Sequence, residues 1–94
     1  MTFSVILWHE LADEINRLPG KIRRTIRPAL EQLEDDPFPG SKGDKEKLVL
    51  KSGVIIYQLH ISERYTVFYE IDKEEKRVIV QEILTTEQAH KKYG

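Results

Sequence analysis

Three groups of residues in this 94-residue chain could do chemistry. His60 stands in the alternating run Val54 to Ile61, where it shares a face with Gln58. An imidazole there can give or take a proton near neutral pH. His90, Lys91, Lys92 and Tyr93 form a small basic tail that could flank the same face. Lys42, Lys45, Lys47 and Lys51 could line a track for phosphates, and Phe68 is placed to stack on a nucleic-acid base. Each has an ordinary counterpart: a surface histidine, a solvated final helical turn, and a solvated loop whose charge Asp44 and Glu46 dilute. His9, beside Trp8, reads as structural. No two histidines are joined with carboxylates at ligand spacing, and cysteine is absent. No metal site, cofactor, disulfide or thiol chemistry is therefore expected.

The elements that must position these residues centre on Val54 to Ile71. Ile55, Tyr57, Leu59 and Ile61 alternate with Ile56, Gln58 and His60, and Tyr65, Val67, Tyr69 and Ile71 alternate with Thr66, Phe68 and Glu70. Period-two alternation of β-branched and aromatic residues predicts two half-buried strands. Ser62-Glu63-Arg64 joins them as a short polar turn. It has no Gly or Asn to accept positive φ, so a bulge is expected there. The uniformly apolar face must be covered, and the face with Gln58, His60, Thr66 and Glu70 is expected to stay open.

Thr2 to Leu7 predicts a first strand, with Phe3, Val5 and Leu7 on one side. Trp8, Leu11, Ile15 and Leu18 then recur at helical spacing up to the stop at Pro19-Gly20. A second helix carries Ile22, Ile26, Leu30 and Leu33 on one stripe, and Pro28 within it predicts a kink or a late start. Its early cations and late carboxylates oppose the macrodipole and read as a solvated face with i,i+4 pairs such as Arg27 with Glu31. Pro37 to Gly43 is a loop, and Lys45 to Lys51 leads into the hairpin. Arg77 to Leu84 is the last strand, and Thr86 is a candidate cap for a short final helix. This order predicts one α+β domain over residues 1–94, with two N-terminal helices packed on one face of a small, mainly antiparallel sheet.

Composition narrows the classes. Hydrophobic residues make 39% and charged residues 33% of the chain, with a formal net charge of −1. That balance argues against general nucleic-acid binding through a basic footprint, though not against a local basic patch. No basic stretch followed by a long apolar run opens the chain, so no signal peptide or membrane span is expected and the cytoplasm is the default location.

The order of elements and several segments resemble the RelE/ParE toxin superfamily. The carrying residues are Asn16-Arg17-Leu18-Pro19, Lys47-Leu48, Tyr57 to Ile61, Tyr65 to Ile71, and Tyr93. The resemblance implies a type II toxin, with a cognate antitoxin as partner. Many members cleave mRNA in the ribosome without a metal, and the ParE branch poisons DNA gyrase. Carried onto this chain, it implies His60 as base or acid, Arg64 as phosphate clamp, and Tyr93 as acid or orienting hydroxyl. The RNA-contacting set would be Lys42, Lys45, Lys47, Lys51, Phe68, Lys91 and Lys92. The chain departs from the family pattern at Gln58, His60, Thr66, Leu84 and Thr85, where basic residues are common. Two readings follow: a ribosome-dependent mRNA endoribonuclease of weak or lost activity, or a catalytically degenerate relative acting by protein binding. A homodimer is compatible with either.

Overall fold

The alternating and helical periods of the chain become eight elements in the computed structural model, which describes residues 2–40 and 44–93. These are β1 (Ser4–Leu7), α1 (His9–Arg17), α2 (Gly20–Asp35), β2 (Lys45–Val49), β3 (Ile55–Ile61), β4 (Tyr65–Asp72), β5 (Arg77–Thr85) and α3 (Thr86–Tyr93). The five strands form one sheet in the order β1-β5-β4-β3-β2. All neighbours are antiparallel except β1, which runs parallel to β5. The α+β architecture expected from the sequence is the observed one.

One face of the sheet carries Leu59, Ile61, Val67, Tyr69, Val78 and Val80, and these pack with Leu11 and Ile15 of α1 and Ile26, Leu30 and Leu33 of α2. The helices bury this face because their apolar residues recur every three or four positions. Trp8 does not join them; it precedes α1 and is 57% exposed. α2 runs unbroken through Pro28 from Gly20. Pro28 and Arg24 are both on the exposed side, where water can satisfy the carbonyl that proline leaves without a donor. Arg27 makes no ion pair with Glu31 among the described residues.

The β3–β4 turn differs from expectation. Ser62 itself takes a positive φ of 56°, and its hydroxyl accepts a hydrogen bond from the Arg64 N–H, a local bond that serines in turns often make. The sheet's irregularity lies in β5 instead. Phe68 pairs with Glu82 and Tyr69 with Val80, so Gln81 is an extra residue.

The second face is open only in part: His60 stays exposed and Gln58 and Glu70 are half-buried, but its centre is covered. Ile56 is buried, and Thr66 and Phe68 are 1% and 0% exposed, because α3 lies over them and the Tyr93 ring sits 4.4 Å from that of Phe68. Thr85 caps α3 rather than Thr86. Its hydroxyl accepts from the Gln88 N–H at 3.1 Å, and the Gln88 side chain accepts from the Thr85 N–H at 3.0 Å, a reciprocal capping box. Among the described residues, no helix is long and apolar enough to cross a membrane.

The face assignment is testable at Leu59, which is 3% exposed. Leu59→Ala should cost about 2–5 kcal/mol in chemical denaturation. A change within error of zero would show that this side chain does not sit in the core.

Candidate functional site

α3 roofs a cavity of about 250 Å³ lined by Glu46, Leu48, Gln58, His60, Thr86, Ala89, His90 and Tyr93. Strand register builds its floor. Glu46 pairs with Gln58 across β2 and β3, and His60 pairs with Thr66 across β3 and β4. The Gln58 amide donates to the Glu46 carboxylate at 2.9 Å. His60 Nε2 lies 3.5 Å from the other Glu46 oxygen, and Thr66 Oγ1 lies 3.4 Å from His60 Nδ1. Both contacts to the ring are at the long end of hydrogen bonding. The imidazole is guided by its neighbours without being tightly held by either.

α3 is pinned at both ends. At its start, the Thr86 N–H donates to the Arg64 carbonyl and the Thr86 hydroxyl to the Glu63 carbonyl, each at 2.8 Å. At its end, the Tyr93 hydroxyl donates to the Glu82 carboxylate, and the Lys92 ammonium reaches both oxygens of that carboxylate at 2.9 Å. Burial, then the bond to Glu82, pushes the Tyr93 phenol above its ordinary pKa. The hydrogen bond to Glu82 chiefly raises that of Lys92.

The residues singled out in the sequence divide accordingly. His60 and Tyr93 share the cavity, and Arg64 sits outside it, in the turn bonded to Thr86. Phe68 cannot stack on a base, because it is fully buried beneath Tyr93. Lys45 is no phosphate contact. It is 7% exposed and its ammonium is held by Asp36 at 3.5 Å and Asp44 at 3.7 Å. Lys45 and Lys47 pair with Leu59 and Tyr57, which places them on the helix-covered side rather than the cavity side, so the lysines do not form one track. Lys51 is exposed in the turn after β2, and Lys42 lies outside the described residues. Lys91 pairs loosely with Glu87, both well exposed, and Lys92 is committed to Glu82. His90 flanks the His60 face as its place in the basic tail suggests, whereas nothing in the sequence marks Glu46 or Glu82 as site residues. Only the β2–β3 register or the docking of α3 brings each into place. No cluster of metal-ligating side chains occurs among the described residues.

The grip on Glu82 has a pH signature. A raised pKa means that the folded state holds its proton more tightly than the unfolded chain does. The docking contribution is then complete below the ordinary tyrosine value of 10.0 and is lost as pH rises through the folded values. Tyrosine absorbance and ring NMR signals should show Tyr93 titrating above its ordinary value. Glu82→Gln should bring it down only part of the way, because burial is the larger cause. An ordinary Tyr93 titration in the parent protein would mean that α3 is not docked as described.

The family model for "ParE toxin of type II toxin-antitoxin system, parDE" matches residues 7–90. Among solved structures, a chain of the archaeal RelE–RelB complex from Pyrococcus horikoshii OT3 is 22% identical, covers 90% of this chain and 96% of its own length, and superposes with a TM-score of 0.74. The RelBE2 toxin–antitoxin complex from Mycobacterium tuberculosis gives 15% identity, coverages of 90% and 99%, and a TM-score of 0.74. A free-state E. coli RelE toxin variant gives 17%, coverages of 96% and 90%, and 0.61. At these identities the superpositions speak for the fold. A search of curated proteins returned no match. The family model spans nearly the whole described domain, and the chain belongs to the ParE toxin family, within the RelE/ParE superfamily of type II toxin–antitoxin toxins.

Proposed function

We propose that this toxin cleaves ribosome-bound mRNA by metal-independent acid–base chemistry in the cavity under α3. The observation that carries the reading is His60, a positioned imidazole on the cavity wall between Glu46 and Thr66, with His90 and Tyr93 lining the same space. His60 takes the proton of a ribose 2′-hydroxyl. The 2′-oxygen attacks the adjacent phosphorus, a P–O2′ bond forms and the P–O5′ bond breaks. Protonated His90 gives its proton to the departing 5′-oxygen, leaving a 2′,3′-cyclic phosphate and a 5′-hydroxyl. Tyr93, its hydroxyl held by Glu82, orients the α3 side of the cavity. Arg64, bonded through its backbone to Thr86, steadies the phosphate at the rim.

Cleavage of mRNA on programmed ribosomes, with free RNA as control, tests this. His60→Ala should lower the rate by about 10²–10⁴-fold, the usual contribution of a positioned proton-transfer group, and Gln58→Ala should do less. Intact ribosome-bound mRNA at high concentrations of the parent protein would end the nuclease reading. One observation favours a second reading, action by protein binding on a target such as DNA gyrase. Among the described residues, no Lys or Arg lines the cavity, so no permanently charged side chain there is seen to neutralise a phosphate. On that reading toxicity in cells survives His60→Ala undiminished.

The partner is a cognate antitoxin. The P. horikoshii structure is a RelE–RelB complex and the M. tuberculosis structure a toxin–antitoxin complex, and this chain offers a fitting surface. A groove of about 670 Å³ lies between α1 and the second half of β5. β1 pairs with β5 only as far as Val80, so the β5 edge beyond it is free to accept an added strand. An antitoxin bound there by strand or helix should bury roughly 1,200 Å² or more. Trp8 lines this groove and is the single tryptophan of the chain, so its fluorescence should shift when the product of the adjacent reading frame is added. An unchanged Trp8 signal in a stable complex would place the antitoxin elsewhere.

A further inference from the structure

Residues 17–27 hold five of the fifteen Lys and Arg of the chain and none of the sixteen Asp and Glu. The cations are Arg17 at the end of α1 and Lys21, Arg23, Arg24 and Arg27 on α2. Among the described residues, none of the five is in an ion pair. The apolar stripe of α2 faces the sheet, so Lys21, Arg24 and Arg27, all exposed, run along its outer side over about 9 Å at 1.5 Å per residue.

Three features make this arrangement costly for the isolated protein. The cations crowd the first turns of α2, where the macrodipole is already positive, and neither a side-chain cap nor an acidic residue offsets them there. The Arg23 and Arg24 side chains converge over Gly20: a Cβ at that position would meet Arg24 Nη1 at 3.4 Å and Arg23 Nη2 at 3.5 Å. Arg23 Nε is buried without a hydrogen-bond partner. Repelling guanidinium groups with donors to spare call for an external anion, and the guanidinium fork matches phosphate oxygens in pairs.

We propose that this ridge grips the phosphate backbone of a duplex segment of structured RNA, on the side of the sheet opposite the α3 cavity. An acidic protein is the less suitable occupant. Protein interfaces are built around an apolar core, and the exposed large hydrophobic residues among the described ones are Trp8, Val49, Val54 and Ile55, none of them on α2. Phosphate contacts need no such core. The inference rests on the RNA-directed reading above, and it adds that the protein holds RNA on two faces. The cavity takes a single strand, and the ridge takes a neighbouring helix.

Fluorescence anisotropy with a short blunt duplex RNA, free of ribosomes, tests the ridge separately from cleavage. Arg24→Ala/Arg27→Ala should retain the fold, because both sites are exposed helix positions where alanine is favourable. It should weaken duplex binding roughly tenfold or more and flatten the log–log salt dependence by about 1.8 between about 50 and 200 mM salt, near 0.9 for each phosphate no longer neutralised. Lys73→Ala/Lys76→Ala removes the same charge from the β4–β5 turn and should leave both quantities close to those of the parent. Equal losses from the two double variants would reduce the effect to net charge and overturn the proposal. So would no duplex binding by the parent protein at the lowest salt, tighter binding to duplex DNA than to RNA, or a ridge variant that loses only its antitoxin. Duplex binding without mRNA cleavage would leave the ridge standing and remove the nuclease reading alone.

Discussion

The extra residue in β5 decides where every later side chain goes. Strict alternation from Val78 and Val80 would carry Glu82 into the helix-covered core, where an unpaired carboxylate is expensive. Gln81 shifts the phase by one. Val67 then meets Ile83 in the core, and Phe68 meets Glu82 on the other face. A one-residue slip reverses the facing of a strand, and here a bulge confines that reversal to its second half. Glu82 thereby becomes the anchor for Tyr93 and Lys92, and α3 gains its hold on the sheet.

With α3 docked, the two faces acquire different chemistry. The helix-covered face is mostly apolar, and its buried polar groups are tied down: Lys45 is held by Asp36 and Asp44, and Tyr69 is fully buried with its hydroxyl donating to the Pro37 carbonyl at 2.7 Å. That bond holds the loop after α2 against the sheet, with Phe38 edge-on to both Phe3 and Tyr57. The α3 face keeps a polar floor of Glu46, Gln58, His60 and Thr66 under a helix. A polar network that is only loosely satisfied is tolerable there, because His60 remains in reach of water. In a sealed core it would be destabilising.

The edge strand β2 links the faces. Its alternation sends Lys45 toward the α2 loop, where Asp36 and Asp44 receive it, and sends Glu46 to His60. One strand therefore fastens the loop on one side and orients the imidazole on the other. Four cations and no carboxylate lie in residues 21–27 of α2, away from the cavity. This explains how a chain of net charge −1 can still present a local basic surface.

The hairpin faces, the stripe of Ile22, Ile26, Leu30 and Leu33, the β1 strand and the α+β class were all legible in the sequence. They rest on periods of two and of three to four residues, which neighbouring residues impose through local backbone geometry. The family was legible for the same reason, since its marks lie mostly along the hairpin. What tertiary structure decided was pairing between distant segments. Phe68 reads as a surface aromatic until Tyr93 covers it, and Lys45 reads as a loop cation until Asp36 and Asp44 enclose it. The bulge at Gln81 carries no Gly to announce it, and Ser62 adopts positive φ without being Gly or Asn. Glu46 meets His60 only because β2 pairs with β3 in one register. Such contacts join residues far apart in the chain, and no periodicity within either segment specifies the partner; the packing of the whole sheet does.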